Sequence, residues 1–344
     1  MIQKIHEFER NGKVNEVYRI TNNNGCEMDI LTYGARIIRL TAPDKNGYFG
    51  DVIVGFATAE DYCDKPRAYY GSLIGRYGNR IGESKFTLDG VEYKLQPNNG
   101  KNMLHGGFDG FDRRTFDATI DGDKLVLTYT SPDGEGGFPG ELKVTCAYSY
   151  TDDNEVIIDY TAVSDKNTLC NLTNHAYFNI GNDATILDHE LMINSSKMTP
   201  VDDELIPHNE YMDIIGTPYS FKNGELLKTN MFSTDHMIAL CKGFDFNYCL
   251  DKTTDGMELC AYVYDAKSGR KMECYTDLPG VQLYTSNTMK GTEGKVVYED
   301  YCALCLETQG YPNSPNCPDY PSTVLKAGDV YRTTTTYKFS VVKD

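Results

Sequence analysis

His175 stands in a stretch of sequence whose alternate residues differ sharply in polarity. Because neighbouring side chains of an extended strand point to opposite faces, one face of residues 171–180 would be apolar except for Asn174. The other face would carry side chains that can form hydrogen bonds, namely Asn171, Thr173, His175, Tyr177 and Asn179. Such a strand suits the wall of a polar cleft, where His175 could give or take a proton near neutral pH. The alternative at this point is a solvent-facing strand with an ordinary surface histidine.

Glu307 ends a segment that would be apolar on both faces of a strand. Alternation divides residues 301–307 into two sets: Cys302, Leu304 and Leu306 on one face, and Tyr301, Ala303, Cys305 and Glu307 on the other. A strand of this kind is buried in a sheet or under a cleft. An ionised carboxylate there is costly unless it is bonded or takes part in chemistry. Glu307 is therefore either a reacting carboxylate or one partner of a satisfied buried ion pair.

Cys302 and Cys305 form a C-x-x-C pattern, which in other settings indicates a zinc site. Alternation predicts that the two thiols point to opposite faces of the strand, and no second pair follows in the sequence. We therefore expect no metal site here.

Three further segments contain polar groups that could bind a polar ligand. Residues 75–81 offer Arg80, a planar fork of donors, among glycines that let the backbone approach a ligand closely. His105 precedes two glycines in a loop, and Asp245 lies between two phenylalanines. The chain has no glycine-rich phosphate loop, no G-x-S-x-G elbow and no set of metal ligands. This inventory favours recognition of a neutral polyol, with proton transfer by Glu307 and a histidine.

Turn signals recur at short intervals along the chain and predict an all-β fold, a large antiparallel β-sandwich. The clearest hairpin is 85–95, where Asp89-Gly90 suits a two-residue turn, and a second pairs 261–264 with 271–275. Segments with helical periodicity do not exceed a couple of turns. No linker divides the chain, so we expect a single domain, 1–344. The longest irregular zones, 97–114 and 199–236, are predicted to be loops over a sheet.

The formal charge of −17 argues against nucleic acid and anionic membranes as partners, since both require a basic surface. Residues 1–7 have no apolar run of signal-peptide length, and no later run is long enough to span a bilayer. The 11 cysteines are odd in number and have no framework spacing, which is typical of reduced thiols in the cytoplasm. The composition is compatible with a monomer or a homodimer.

The ordered motifs GRYGNRI (75–81), LHGG (104–107), NHAYFN (174–179), GFDFNY (243–248) and LETQGYPNSPN (306–316) resemble those of the aldose 1-epimerase (galactose mutarotase) family. NHAYFN together with LETQ is highly specific, whereas GRYGNRI alone is not. The resemblance implies a supersandwich fold, no cofactor, no metal and a neutral sugar substrate. It also implies interconversion of the α and β anomers of a free aldohexose such as glucose or galactose.

Matched motif by motif, the resemblance implies that Glu307 is the general base and His175 the general acid. It also implies that the sugar is bound by Asn79, Arg80, His105, Asp245 and Gln282. The first three would hold it near the reacting centre, Asp245 would bond ring hydroxyls, and Gln282 would lie at the rim. The chain departs from the pattern at Phe116, where many relatives carry Trp. We expect this change to affect packing rather than chemistry.

Three other functions remain open from the sequence. An epimerase for a hexose 6-phosphate would need cations around the phosphate, which Arg76, Arg113 and Arg114 could supply. A non-catalytic sugar-binding sandwich would keep the cleft but would have no use for Glu307 and His175. A glycoside hydrolase needs two carboxylates, and Glu307 with Asp245 would leave His175 unexplained.

Overall fold

Antiparallel strands form most of the protein, whose computed structural model describes residues 1–10, 12–65, 68–181 and 183–343. The first sheet has five strands in chain order: β1 (Ile2–Arg10), β2 (Lys13–Thr21), β3 (Glu27–Leu31), β4 (Arg36–Pro43) and β5 (Phe49–Asp51). Short two-stranded ladders follow: β6 (Leu73–Ile74), β7 (Arg80–Ile81), β8 (Lys85–Leu88), β9 (Val91–Lys94) and β10 (Met103–Leu104). Of these, β7 pairs with β10 and β8 with β9.

The largest sheet has nine strands. In spatial order they are β11 (Asp117–Asp121), β12 (Lys124–Ser131), β13 (Leu142–Tyr150), β14 (Glu155–Ser164), β27 (Val330–Val341), β23 (Arg270–Thr276), β22 (Glu258–Tyr264), β17 (Glu190–Ile193) and β20 (Glu225–Leu226). The long strand β27 lies in the middle, between β14 and β23, and so ties the C-terminal segment to the centre of the sheet.

A third sheet carries three of the predicted site residues, Asp245, Gln282 and Glu307. Its five strands are, in spatial order, β19 (Met212–Asp213), β18 (Ser195–Met198), β21 (Asp245–Leu250), β24 (Gly280–Tyr284) and β25 (Cys305–Gln309). The remaining strands are β15 (Thr168–Leu169), which pairs with β26 (Val324–Leu325), and β16 (Thr173–Asn174), which pairs with β6.

Helices are few and short in the described residues. The α-helices are α1 (Asp61–Asp64), α2 (Lys228–Met231) and α3 (His236–Cys241), and single 3₁₀ turns cover Gly82–Ser84, Phe111–Arg113, Glu135–Gly137 and Ser314–Asn316. None of the helices in this part of the chain has the length and apolar character of a bilayer-spanning segment. The prediction of an all-β, antiparallel sandwich is confirmed.

Both predicted hairpins are present. Leu88 pairs with Val91 across a two-residue turn in which Asp89 and Gly90 have φ of 52° and 77°, the left-handed backbone that an Asp-Gly pair favours. The second hairpin is formed by β22 and β23, with Tyr264 opposite Lys271.

The main core is formed by the inward face of strands with strict alternation. In β14, for example, Val156, Ile158, Tyr160 and Ala162 are buried while the residues between them are partly exposed. The same apolar cluster draws residues from Ile20 to Phe339, so it connects the first sheet with the largest one. A smaller apolar cluster lies beside the site and contains Tyr177 and Cys305.

The predicted strand at 171–180 is only partly regular. Ladder pairing covers Thr173–Asn174 alone, and Phe178 adds single bridges to Ile53 and Leu304. The alternation nevertheless holds, because Leu172, Ala176, Phe178 and Ile180 all lie in the main core. The surface-histidine alternative is wrong, since His175 is only 4% exposed.

The predicted burial of Glu307 is confirmed at 2% exposure, but the two cysteines before it do not point to opposite faces. Cys302 and Cys305 both belong to the smaller apolar cluster. The reason is that the regular strand begins only at Cys305, so residues 302–303 are not held in the extended backbone that alternation assumes. Burial raises the pKa of the Cys302 thiol to about 12 and that of Cys305 well above its usual value, which disfavours the thiolates that zinc requires.

Candidate active site

A polar pocket of about 200 Å³ lies at the meeting point of short ladders and the third sheet. Its described lining residues are Tyr69, Asn79, Arg80, Leu104, His105, His175, Tyr177, Asp245, Tyr284 and Glu307. Segments that are far apart in the sequence supply these side chains, and six of them are residues that the sequence predicted for the site. The seventh predicted residue, Gln282, does not line the pocket.

The two candidate proton-transfer groups face each other inside this pocket. Nε2 of His175 lies 3.5 Å from Oε1 of Glu307, and both side chains are almost fully buried. The backbone fixes each one: the His175 N–H donates to the Ser72 carbonyl, and Glu307 sits in β25 opposite Gln282 of β24. Nδ1 of His175 and Oε2 of Glu307 are buried and have no hydrogen-bond partner among residues 1–10, 12–65, 68–181 and 183–343. Unpaired buried polar atoms are rare and mark places where a ligand completes the structure.

Burial shifts both pKa values toward the neutral forms of the pair. Removal from water lowers the pKa of His175 to about 3, and the same cause raises the pKa of Glu307 well above its usual range. The negative charge of Asp245 adds to the second shift, whereas Arg80 opposes it. Burial of both groups therefore favours neutral imidazole at His175 and the protonated carboxyl at Glu307, which together hold one proton. The two groups therefore titrate as a unit.

Asn79 and His105 hold each other in place at the entrance of the pocket. The Asn79 backbone N–H donates to Nδ1 of His105 over 3.1 Å, and the His105 N–H donates to the Asn79 carbonyl over 3.0 Å. Both residues have left-handed backbones, with φ of 63° and 51°, a strained conformation for residues with side chains that is frequent at functional sites. The next residue, Gly106, has to be glycine, because a Cβ there would lie 2.0 Å from the Gly75 carbonyl oxygen.

His105, His175 and Glu307 also place possible ligand atoms within 4.8 Å of one another, a donor set typical of catalytic zinc. The hydrogen bonding of His105 does not fit that role. Because Nδ1 accepts from Asn79, the neutral ring carries its proton on Nε2, which is then a donor and not a ligand. Metal binding would require this proton to leave or the Asn79 bond to break. The cluster fits a sugar oxygen better than a cation.

Asp245 begins β21, in the same sheet as Glu307, and is held from two sides in the pocket. Gln282 donates to its Oδ1 over 2.7 Å, and the Arg80 guanidinium lies 3.9 Å from its Oδ2. Gln282 in turn accepts from Gln309. The predicted position of Gln282 at the rim is wrong: its side chain is only 3% exposed and lies beneath Asp245, because β24 pairs Gln282 with buried residues of β21 and β25.

Known proteins resemble this chain over most of its length. The sequence profile described as Aldose 1-epimerase matches residues 16–338. The chain belongs to the aldose 1-epimerase family. A galactose mutarotase from Sus scrofa is 41% identical over 319 residues, 91% of each chain, and an aldose 1-epimerase from Escherichia coli is 34% identical over 98% of this chain and 99% of its own.

Solved structures of the aldose 1-epimerase family share the fold. An aldose epimerase homologue from C. elegans superposes with a TM-score of 0.88 at 30% identity, over 94% of this chain and 98% of that one. A galactose 1-epimerase from Lactobacillus acidophilus has the same TM-score at 26% identity and covers 100% of this chain and 99% of its own.

Several residues that line the pocket were not predicted as site residues from the sequence. Tyr177 lies on the polar strand face described above, and Tyr284 ends the strand that contains Gln282, so both could have been found by extending those patterns. Tyr69 follows no pattern in the sequence. It reaches the pocket only because a turn brings it beside both histidines, with ring centroids 4.6 Å from His105 and 5.7 Å from His175.

The three arginines considered for a phosphate site do not line the pocket. Arg76 is buried and donates to the backbone carbonyls of Ser131, Pro132 and Pro139. Arg114 pairs with carboxylates of Asp109 and Glu135, and Arg113 is exposed.

Phe116, the departure from the family pattern, lies away from the pocket in the main core. Its ring packs at 6.2 Å from Phe111 and 5.4 Å from Tyr129. Phe116 therefore contributes to the packing of the core and does not line the pocket.

The long irregular zones differ in their contribution to the site. The zone 97–114 supplies His105 and also Asn99, whose Oδ1 accepts from Nε of Arg80 over 3.1 Å. Among described residues, the zone 199–236 supplies no lining residue.

Proposed function

We propose that this chain interconverts the α and β anomers of a free aldohexose, with Glu307 as the general base and His175 as the general acid. The observation that carries the proposal is the buried pair of His175 and Glu307, 3.5 Å apart and open to one small polar pocket. The activity follows from membership of the aldose 1-epimerase family, and the residue roles are those that the matched motifs imply.

The reaction moves protons between two oxygens that are bonded to the same carbon. The Glu307 carboxylate takes the proton from the C1 hydroxyl, the C1–O5 bond breaks as the carbonyl forms, and His175 gives a proton to O5. Rotation about C1–C2 then presents the other face of the carbonyl. Closure with the roles reversed produces the other anomer, and the net charge of the pair stays constant throughout.

The one-proton pair suits this sequence of steps. Ring opening starts from ionised Glu307 and protonated His175 and ends with both groups neutral, which is the arrangement that burial favours. Hydroxyls of a bound sugar would supply hydrogen bonds to the two buried atoms of the pair that have no partner among the described residues. A sugar in the pocket therefore makes the charged starting state accessible without a change in proton number.

The other lining groups would bind the hydroxyls of the sugar. His105 presents an Nε2–H donor, Asp245 is an acceptor held by Gln282, and Arg80 is a donor beside Asn79. In this proposal Gln282 acts on the sugar through Asp245 rather than by direct contact.

Polarimetry tests the proposal. Addition of the protein to freshly dissolved α-glucose or α-galactose should accelerate the approach to the equilibrium rotation. Binding of either sugar without acceleration would establish the non-catalytic reading, and release of sugar from a glycoside would establish the hydrolase.

The electrostatics of the pocket predict a neutral substrate. Among the described lining residues, the one permanent cation is Arg80, and it faces two carboxylates, Asp245 and Glu307. A hexose 6-phosphate should therefore be turned over at least tenfold less efficiently, in kcat/KM, than the free hexose at matched ionic strength. The opposite preference would move the chain to the phosphosugar branch.

We further propose that the chain acts as a single domain, in the cytoplasm, without a cofactor, as a monomer or homodimer. The one extended core from Ile20 to Phe339 supports the single domain, and the 11 free cysteines support a reducing compartment. Size-exclusion chromatography with light scattering would distinguish the two oligomeric states.

A further inference from the structure

Among the described residues, no hydrogen bond from another residue holds the second ring nitrogen of His175. The ring of a reacting histidine is normally held by a carboxylate or carbonyl that accepts from its second nitrogen. In His175 this nitrogen, Nδ1, is buried and has no hydrogen-bond partner in the part of the chain that the structure describes. Something else must fix the plane of the ring.

Two tyrosine rings are stacked against the imidazole. The ring of Tyr177 lies 5.0 Å from it, centroid to centroid, at an interplanar angle of 16°, and the ring of Tyr69 lies 5.7 Å away at 17°. Two further rings approach edge-on, His105 at 5.1 Å and Tyr284 at 6.5 Å. Stacked rings restrict the tilt of the imidazole, and their negative π faces attract a cation.

We propose that Tyr69 and Tyr177 are the positioning residues of His175, whose stacked rings hold the imidazole plane and stabilise its protonated form. This inference rests on the proposed role of His175 as the acid. It explains how a histidine that is removed from water, and has no carboxylate on its second nitrogen, can carry a proton during turnover.

The backbone holds Tyr69 firmly enough for this role. Ser72 accepts the His175 N–H with its carbonyl, and its own N–H and hydroxyl both donate to the Tyr69 carbonyl, over 3.0 Å and 2.8 Å. One serine thus connects the two backbones directly.

A buried arginine secures the residues on either side of Tyr69. The Arg36 guanidinium donates to the carbonyls of Ala68 and Tyr70 over 3.0 Å and 2.9 Å, and to that of Asp112 over 2.7 Å. Arg36 is itself only 2% exposed. The turn that carries Tyr69 is therefore fixed to the core.

The second stacked ring, that of Tyr177, is fixed by packing. Tyr177 is 7% exposed, its carbonyl accepts the Val54 N–H, and its ring meets those of Tyr70 and Tyr284 edge-on.

Substitution of each ring by an aliphatic or an aromatic side chain tests the inference. Tyr69→Leu and Tyr177→Leu should lose tenfold or more in kcat, with a smaller change in KM. The fall of kcat/KM on the acid side of its pH profile, the acid limb, should also move to lower pH. Tyr69→Phe and Tyr177→Phe keep the π face and should keep the position of that limb. Tyr48→Leu, which removes a 73% exposed ring elsewhere, is the matched control.

A second measurement does not depend on turnover. In the enzyme saturated with a 1-deoxy sugar, whose ring cannot open, ¹⁵N shifts report the protonated fraction of His175. This fraction should fall in each Leu variant. It should also fall stepwise when fluorinated phenylalanines of increasing fluorine content occupy position 69 or 177, because fluorine weakens the π face without a large change in shape. The fluorinated series gives an answer even where a Leu variant does not fold.

Two results would overturn the inference. The first is that neither the protonated fraction of His175 nor the acid limb changes in the Leu variants or with increasing fluorination. The second is that the Phe variants lose as much kcat as the Leu variants do. Failure of the proposed function is a separate result: His175→Asn would then be fully active, whatever the titration of the wild-type ring shows.

Discussion

The two sides of the pocket differ in how their polar atoms are bonded. On one side Asp245 has a donor in Gln282 and a cation in Arg80, and Gln282 is itself bonded to Gln309. In the reacting pair, Nδ1 of His175 and Oε2 of Glu307 are buried without hydrogen-bond partners among the described residues. A prebuilt hydrogen-bond network can bind hydroxyls without rearrangement, whereas unpaired groups remain free to exchange protons with a bound sugar. The comparison assigns binding to the Asp245 side and proton transfer to the His175 side.

The strongest way to break this comparison is to remove a proton-transfer group. Glu307→Gln keeps size and hydrogen bonding but removes basicity, so kcat should fall on the order of 10²-fold or more. His175→Asn should lose a comparable amount, and the double variant should lose little more than either, because the two groups act as a unit. Stopped-flow polarimetry measures all three, with the exposed Glu9→Gln as control.

The same roles of Glu307 and His175 also predict how the activity of the wild type depends on pH. The pair must hold one proton, so kcat/KM should be bell-shaped, with an acid limb as the pair gains a second proton and an alkaline limb as it loses its last. Full activity of Glu307→Gln per folded molecule would make Glu307 structural, and Asp245 would be the next candidate for the base.

A smaller effect is expected on the binding side. Asp245→Asn weakens hydrogen bonds that are made in the ground state and the transition state alike, so KM should rise roughly tenfold with little change in kcat. The exposed Asp213→Asn is the control. A large fall in kcat at constant KM would place Asp245 in the chemistry and remove the contrast between the two sides.

Gln282→Met should have a still smaller effect of the same kind. It removes the donor beneath Asp245 and nearly preserves volume, so KM should rise roughly two- to fivefold through a less well-oriented carboxylate. In Asp245→Asn the same Gln282 substitution should have little further effect, because both act through one contact. Additive losses would show that Gln282 touches the sugar directly.

The smallest effect concerns stability. Burial raises the pKa of Glu307 in the folded state, so folding takes up a proton at pH values above the usual range of a glutamate and becomes less favourable as pH rises toward the raised pKa. Glu307→Gln has no charge to bury. Its Tm should therefore exceed that of the wild type by roughly 1–3 °C at neutral pH, and the difference should shrink toward pH 4.5. Calorimetry at several pH values measures this, and a destabilised Gln variant would contradict the unpaired state of Glu307.

Local patterns in the sequence were sufficient for much of the fold. The Asp89-Gly90 turn and the alternation around His175 depend on neighbours two residues apart, so they can be recognised without knowledge of distant contacts. The burial of Glu307 could be predicted for the same reason, since its apolar neighbours on both faces leave no face for water.

Alternation misled where the backbone departs from a regular strand. Cys302 precedes the regular strand and packs in the same apolar cluster as Cys305, so the face that alternation assigned to it is wrong. The position of Gln282 depended on its partners in β21 and β25, which no local pattern identifies.

The sequence by itself determined the all-β class, the hairpins, and the residue types available for acid and base chemistry. Only the tertiary structure decided which nitrogen of His105 carries the proton, where Tyr69 stacks and how Gln282 supports Asp245. These depend on contacts between segments separated by tens to hundreds of residues. It also decided the direction of the pKa shifts of His175 and Glu307, because desolvation is a property of the whole surrounding core and not of the neighbouring residues in the chain.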